Sequence, residues 1–448
     1  MNNDTSHADD SHLLSRRNFL TAAAAASGAA VLGACGGGTG TASGGGSSHT
    51  GGGKTGKKAT LEVWSWYTED APVWHYITSE FHDAYHNITV KPRTFGSLAD
   101  YSPALESAVS GGSTPDIFAP ATLALSYGES GIALDLKDAM GAHFLDGFFP
   151  SINKEYSANG KQYAIGWEAQ MFGIFYNPDI MRQAGVDVPE TWDDLISAAK
   201  TIKSKTGKVP VALNGNPSNN AADFFLPLIT QASDDPNLVY QLDQQVGGKK
   251  WTDNYVVQAF EMLQRLQANH VFETGADAVT YDEALALFYT QKSAMLFFGS
   301  FIVPGLLTSA PKAFNKLYRV APTPAWRPGG RHWGGNQAGA GWSVSAKSPN
   351  ADAAVEFLKF IYEPARYALI MEKSSAMAAT IAAAAKGKNP IVREMASWIK
   401  DNGCNHILFG VGSETAAGNA AAAVIGGKLT PQKAAAQIQT QVDQARHA

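Results

Sequence analysis

Residues 159–203 constrain this chain more than any other stretch. They open on the turn pair Asn159-Gly160 and continue as a strand, a short segment and a second apolar strand at 171–176. Asn177-Pro178 ends that strand, because proline has no N–H for the ladder and disfavours the αR region at Asn177. A first helix runs to Ala184 and stops at Gly185. Thr191 then stands as N-cap of a second helix, with Asp194 at capping-box distance and the acidic pair Asp193-Asp194 at the positive helix start.

The chain ahead of this stretch alternates strand and helix. A strand at 60–67 ends in aromatics, a helix follows at 72–85 and a strand at 88–90. A helix at 101–110 is closed by Gly111-Gly112, and a short strand covers 114–118. That alternation predicts parallel α/β layers. Beyond it come a strand at 209–213, a polar loop at 214–220 and helices at 223–231, 254–268 and 281–289. The last feeds a buried strand at 293–298. Residues 331–345 are Gly-rich, which suits close backbone approach or hinge dihedrals; no Gly-Lys-Ser/Thr follows, so this is not a phosphate loop. A helix is expected at 348–361, and Ala-rich helices at 414–424 and 430–445 flank Gly426-Gly427.

Gly160-Lys161-Gln162-Tyr163, Tyr176-Asn177, Ala184-Gly185 and Pro189-Glu190-Thr191-Trp192-Asp193-Asp194-Leu195 together resemble the extracellular solute-binding proteins of carbohydrate ABC transporters, of the maltose-binding-protein-like, family 1 type. Residues 111–118, 131–136, 293–301, 319–324 and 348–361 add to the resemblance, which runs from about Ala59 to the C-terminus. The chain departs from the family pattern at Gly166-Trp167, where proline is common, and at Phe301, which keeps a stacking face but lacks the indole N–H. The resemblance implies an α/β, two-lobed periplasmic-binding-protein-like fold of class II type with an interlobe ligand cleft. Its first lobe would take 59–166 and 338–388, and its second 167–337 and 389–448.

Ser15-Arg16-Arg17-Asn18-Phe19-Leu20 precedes an apolar, Ala-rich run that ends in Leu32-Gly33-Ala34-Cys35. A charged segment, a short apolar run and small residues read as an export signal, too short for a transmembrane helix. The paired arginines look like a twin-arginine signal. Leu32-Gly33-Ala34-Cys35 is similar to a lipobox, so residues 1–35 are expected to be a lipoprotein signal with Cys35 lipidated. That would anchor an exported protein on the outer face of the cytoplasmic membrane; the alternative is an ordinary cleaved signal with an incidental cysteine. Residues 36–58, rich in Gly and Ser, form the expected tether.

The roughly 390 residues that follow are too many for one typical core and about right for two lobes. A net charge of −5 and pI near 6.1 argue against nucleic-acid binding, which needs a basic face. With Cys35 assigned to lipid, Cys404 is expected to stay unpaired.

No Gly-x-Ser-x-Gly, HExxH or Walker pattern occurs, so no catalytic residue or cofactor is expected. His75, His82 and His86 share one helix face, as a metal site or simply a solvated face would arrange them; no metal ligand is assigned. A sugar offers apolar C–H faces edged by hydroxyls, so its site needs flat rings beside carboxylates and amides. Trp66, Tyr67 and Glu69 follow the first strand and Thr122 follows 114–118, at the strand ends where such sheets bind ligands. Trp167 and Glu168 mark the expected first crossing between lobes, with the Trp167 indole exposed on a loop. Asp223, Phe301, Trp333, Asn336, Trp342 and Glu414 complete the set, whereas Trp64 and Trp192 read as core. The resemblance implies a monomer that captures a small-molecule carbohydrate and passes it to ABC permease subunits in the membrane. A polyol or glycerol phosphate on the same scaffold is the first alternative; a secreted carbohydrate-active enzyme or adhesion protein is the second.

Overall fold

The computed structural model describes residues 58–447 apart from 142, 218–219, 339 and 411. The signal, Cys35 and the tether lie outside the described residues.

Nine strands, numbered here in chain order, build the two larger sheets among the described residues. β1 (Ala59–Ser65) pairs in parallel with β2 (Ile88–Thr94) along its whole length and with β3 (Ile117–Phe118) at Val63↔Ile117. β4 (Ile165–Glu168) is followed by β5 (Phe172–Tyr176), β6 (Val209–Ala212), β7 (Ser293–Gly299), β8 (Arg319–Ala321) and β9 (Ala340–Val344). The first sheet has the order β2-β1-β3-β9-β4 and the second β8-β5-β7-β6. β9 inserts between β3 and β4, antiparallel to both, through Ser343↔Phe118 and Trp342↔Ile165. A strand near residue 340 thus completes a sheet begun at residue 59.

Local chemistry explains the connection after β5. The Asn177 side chain accepts from Asp179 N and Ile180 N to start the helix Pro178–Ala184, and Gly185, at φ 68°, ends it in the left-handed region where Cβ is a penalty. Thr191 and Asp194 then form the expected reciprocal capping box ahead of the helix Trp192–Thr206.

β7 is buried along its full length, as a strand covered on both faces must be. Met295 and Phe297 face one apolar cluster with the helices Asn254–Ala268 and Ser413–Ile425; Leu296 and Phe298 face another, which extends onto the first sheet. That period-2 division makes the second sheet the wall between the two cores. The helix Pro431–His447 closes the second cluster through Ile438 and Val442. Among the described residues, no helix is long and apolar enough to cross a membrane.

The expected crossing at Gly166-Trp167 is corrected by the structure. β4 runs on to Glu168, so Trp167 and Glu168 stay in the first sheet and the chain crosses at 169–171. Gly166 serves close packing and not a hinge, since a Cβ there would meet Ile152 Cγ2 at 2.3 Å.

Candidate ligand-binding site

Two segments that pass between the sheets, 169–171 and 336–338, are tied to each other and to the segment 404–407, which follows the helix Pro390–Asn402 packed on the second sheet. Gln170 N donates to Gln337 O at 3.1 Å, and Asn336 Nδ2 donates to Gln170 O at 2.5 Å. Gln337 Oε1 accepts from His406 N and Ile407 N at 2.6 and 2.5 Å. The His406 ring turns Nε2 to Gln170 Oε1 at 3.0 Å and lies tilted against Phe172 at 4.7 Å. Burial pushes this imidazole down to about 3, so it is neutral at ordinary pH. The Gly-rich segment takes part by close approach: a Cβ on Gly335 would lie 2.6 Å from His406 Cβ.

The aromatics expected to line the cleft divide differently. Trp167 is fully buried, and its Nε1 donates to the buried Asp70 Oδ2 at 2.7 Å. Its ring meets Trp342, Tyr362 and Tyr367 edge-on at 5.4–6.0 Å. Trp342 is equally buried, with Tyr67 against it at 5.1 Å. The Tyr67 hydroxyl donates to Gly341 O and accepts from Gly341 N. The exposed-loop reading of Trp167 is therefore overturned: β4 and β9 pair across it and helices cover it, so the ring packs as core. Glu168 is buried in the same layer. Trp333 is also buried, with its Nε1 donated to Asp234 Oδ1 at 2.9 Å and its ring beneath the Arg331 guanidinium. Trp66, half-buried against Tyr67 and Tyr101, and Phe301, half-buried against Phe172 and Phe298, keep free ring surface. Thr122 is half-buried in the turn after β3. The side chain of Glu69 lies outside the described residues.

Among the polar candidates, Asn336 is absorbed by the crossings, where its Oδ1 accepts from Ser151 Oγ at 2.6 Å. Asp223 and Glu414 are brought together at the starts of two helices of the second core. Burial, then the nearby Asp223 carboxylate, raises the Glu414 carboxyl well above the usual range, while Glu414 Oε2 accepts from Leu408 N at 2.8 Å. The Asp223 charge that raises Glu414 would equally disfavour an anion, and the pair offers oxygens to sugar hydroxyls. Asn214 escaped the sequence reading. It is buried just beyond the carboxyl end of β6, and neither its Nδ2 nor its Oδ1 has a hydrogen-bond partner among the described residues. Its position after an apolar strand was the available signal.

A cavity of about 190 Å³ opens between residues 154–159 and the helix Leu238–Gln244, with the segment 405–409 as its third wall. Glu155 and Gln337 line it, and both are buried. Burial pushes the Glu155 carboxyl up to about 7. Its Oε1 accepts from Asn405 Nδ2 at a long 3.4 Å; its Oε2 and the Gln337 Nε2 make no hydrogen bond of ordinary length among the described residues, although the Gln337 side chain lies near enough to offset part of the burial. Across the cavity, Asp243 is engaged by Phe409 N, Gly410 N and Ser413 Oγ, and the Lys154 ammonium sits over the Tyr240 ring at 4.6 Å. None of the twelve expected ligand residues lines this cavity. His75 and His82 are exposed on the helix Ala71–Ala84 and His86 is exposed in the turn beyond its end, and no group of three or more metal-ligating side chains occurs among the described residues.

Comparison with known proteins gives one consistent picture. The family model of the bacterial extracellular solute-binding proteins matches residues 64–367. The chain is similar to the multiple sugar-binding protein of Streptococcus mutans, at 26% identity over 68% of this chain and 71% of the relative. It is 26% identical to the melibiose/raffinose/stachyose-binding protein MelE of Bacillus subtilis, over 71% of this chain and 74% of the relative. The GacH receptor of Streptomyces glaucescens, solved unliganded and with acarbose, superposes with a TM-score of 0.73 at 21% identity, covering 87% of this chain and 98% of that one.

Proposed function

Because this chain belongs to the bacterial extracellular solute-binding proteins, we propose that it captures a sugar or oligosaccharide between its two lobes and delivers it to an ABC permease. The family match carries this reading, joined by two curated relatives named for sugar binding. Family membership makes it an exported binding protein. The lobes meet at the crossings 169–171 and 336–338, with the segment 404–407 bonded to both, and a sugar touching both lobes favours the arrangement in which it bridges them.

The ligand residues we put forward stand at strand and helix ends. Thr122 and Trp66 serve from the first sheet, and Asn214, Asp223, Phe301 and Glu414 from the second. The rings stack on a sugar face while the carboxyls and the Asn214 amide take hydroxyls. The paired carboxyls disfavour glycerol phosphate. No catalytic step is assigned, and the protein acts as a monomer. Cys35 carries a lipid that holds it to the membrane; Cys35→Ala should release it from the membrane fraction, and unchanged association without lipid label on the wild type would refute the anchor.

A thermal-shift panel of mono- and oligosaccharides tests the main reading, since a bound sugar raises apparent stability by RT ln(1 + [L]/Kd). A panel with no binder, or with turnover of a sugar, would overturn it. For the sugar found, Asp223→Asn should weaken binding about 10- to 100-fold by calorimetry, the cost of about 1.5–3 kcal/mol for a hydrogen bond to a charged group.

A further inference from the structure

The cavity beside the crossings is built from both halves of the molecule. Ile152 and Tyr156, on either side of Glu155, belong to the cluster that extends onto the first sheet, whereas Val239 and Leu242 opposite belong to the second cluster. Gln337 comes from the crossing 336–338 and Asn405 from the segment bonded to it. Any rotation of one half against the other therefore changes the width of this crevice. We propose that Glu155 is a positioning residue that makes the lobe arrangement proton-linked: protonated, it holds the crevice closed as described, and ionised, it drives the crevice walls apart. This rests on the reading that the lobes move about the crossings.

The physical case is a poorly met acceptor. Glu155 Oε2 is buried with no hydrogen bond of ordinary length, the Gln337 and Asn405 amides nearby offset only part of the burial, and a buried carboxylate in that condition is costly while the protonated acid is not. In the described arrangement the carboxyl sits at about 7; wetted, it returns towards the ordinary value near 4.3. Raising pH from 5 to 8 thus favours the parted arrangement, by up to about 100-fold for complete rewetting. The other ionisable groups on the crevice walls are held by contacts of their own. Lys154 is held over Tyr240, Asp243 is bonded to three donors from 409–413, and the Tyr156 hydroxyl donates to Ala338 O. His406 lies on the third wall but turns away to Gln170 and does not line the cavity.

The test uses the sugar-free full chain and protons alone. Small-angle scattering at pH 5, 6, 7 and 8 should show a radius of gyration that changes with pH in the wild type and stays flat in Glu155→Gln, which keeps the shape of the protonated acid. Glu273→Gln is the control, because Glu273 is also pushed up to about 7 by burial but lies away from the crevice. It should alter stability against pH while leaving the radius response intact. A wild type with no pH response, or a Glu155→Gln variant that responds like the wild type, overturns the proposal. A sugar panel without a binder would sink the capture reading instead, and leaves this comparison standing.

Discussion

Trp167 delivers its indole N–H to a buried carboxylate, and that sets what its replacement does. Trp167→Phe removes this donor from Asp70 and should lower unfolding free energy by about 1–3 kcal/mol. Trp167→Ala adds a cavity and should cost about 3–5 kcal/mol. Both effects belong to urea unfolding curves, with sugar affinity nearly unchanged in the Phe variant; lost affinity at full stability would return this ring to the cleft. At Glu273 the sign of the pH effect is fixed by a folded carboxyl near 7 against an ordinary value near 4.5. The folded state binds the proton more tightly, so this group costs nothing below about pH 4.5 and progressively destabilises as pH rises to 7. Glu273→Gln should therefore match the wild type at pH 4 and exceed it by up to about 3 kcal/mol at pH 8, read by denaturant titration at each pH.

Among the elements, the helix Trp192–Thr206 depends on its start. Thr191→Ala removes the side-chain half of a capping box and should cost about 1–2 kcal/mol with sugar binding preserved. β9 is sensitive for another reason. A Cβ on Gly341 would lie 2.8 Å from Tyr156 Cε2 and 3.1 Å from Ile165 O, the second of which is backbone and cannot swing aside. Gly341→Ala should cost about 1–3 kcal/mol by overpacking and lower the melting midpoint. The helices Asn254–Ala268 and Tyr281–Tyr289 have the bounds their sequence periodicity predicts. In both, the apolar face repeats every three to four residues and polar residues bound the run, so local sequence suffices.

For the whole molecule, the two cores on opposite faces of the second sheet and the bonded crossings at 169–171 and 336–338 predict a body that bends at one place. Saturating sugar should change the radius of gyration by scattering, because each half contributes ligand contacts; equal radii for empty and saturated protein would exclude a bending mechanism. The crossings also explain why the Gly-rich 331–345 segment matters. Its glycines let His406 and Tyr156 sit against backbone, so the flexible-hinge alternative gives way to tight packing.

Sequence by itself determined what is local or shared by resemblance: the Asn177 and Thr191 caps, the Gly185 stop, the buried run of β7 and the solute-binding family. Only the tertiary structure decided which aromatics face a cleft. Trp167 and Trp342 lie far apart in the chain, and each looks exposed until β9 is laid between β3 and β4 and the helix carrying Tyr367 covers them. Burial is a property of that long-range pairing, and no spacing within β4 encodes it. The same holds for Glu155, Gln337 and Asn405. Each is an ordinary polar residue in its own segment, and they become a site only because three distant pieces of chain are brought to one crevice.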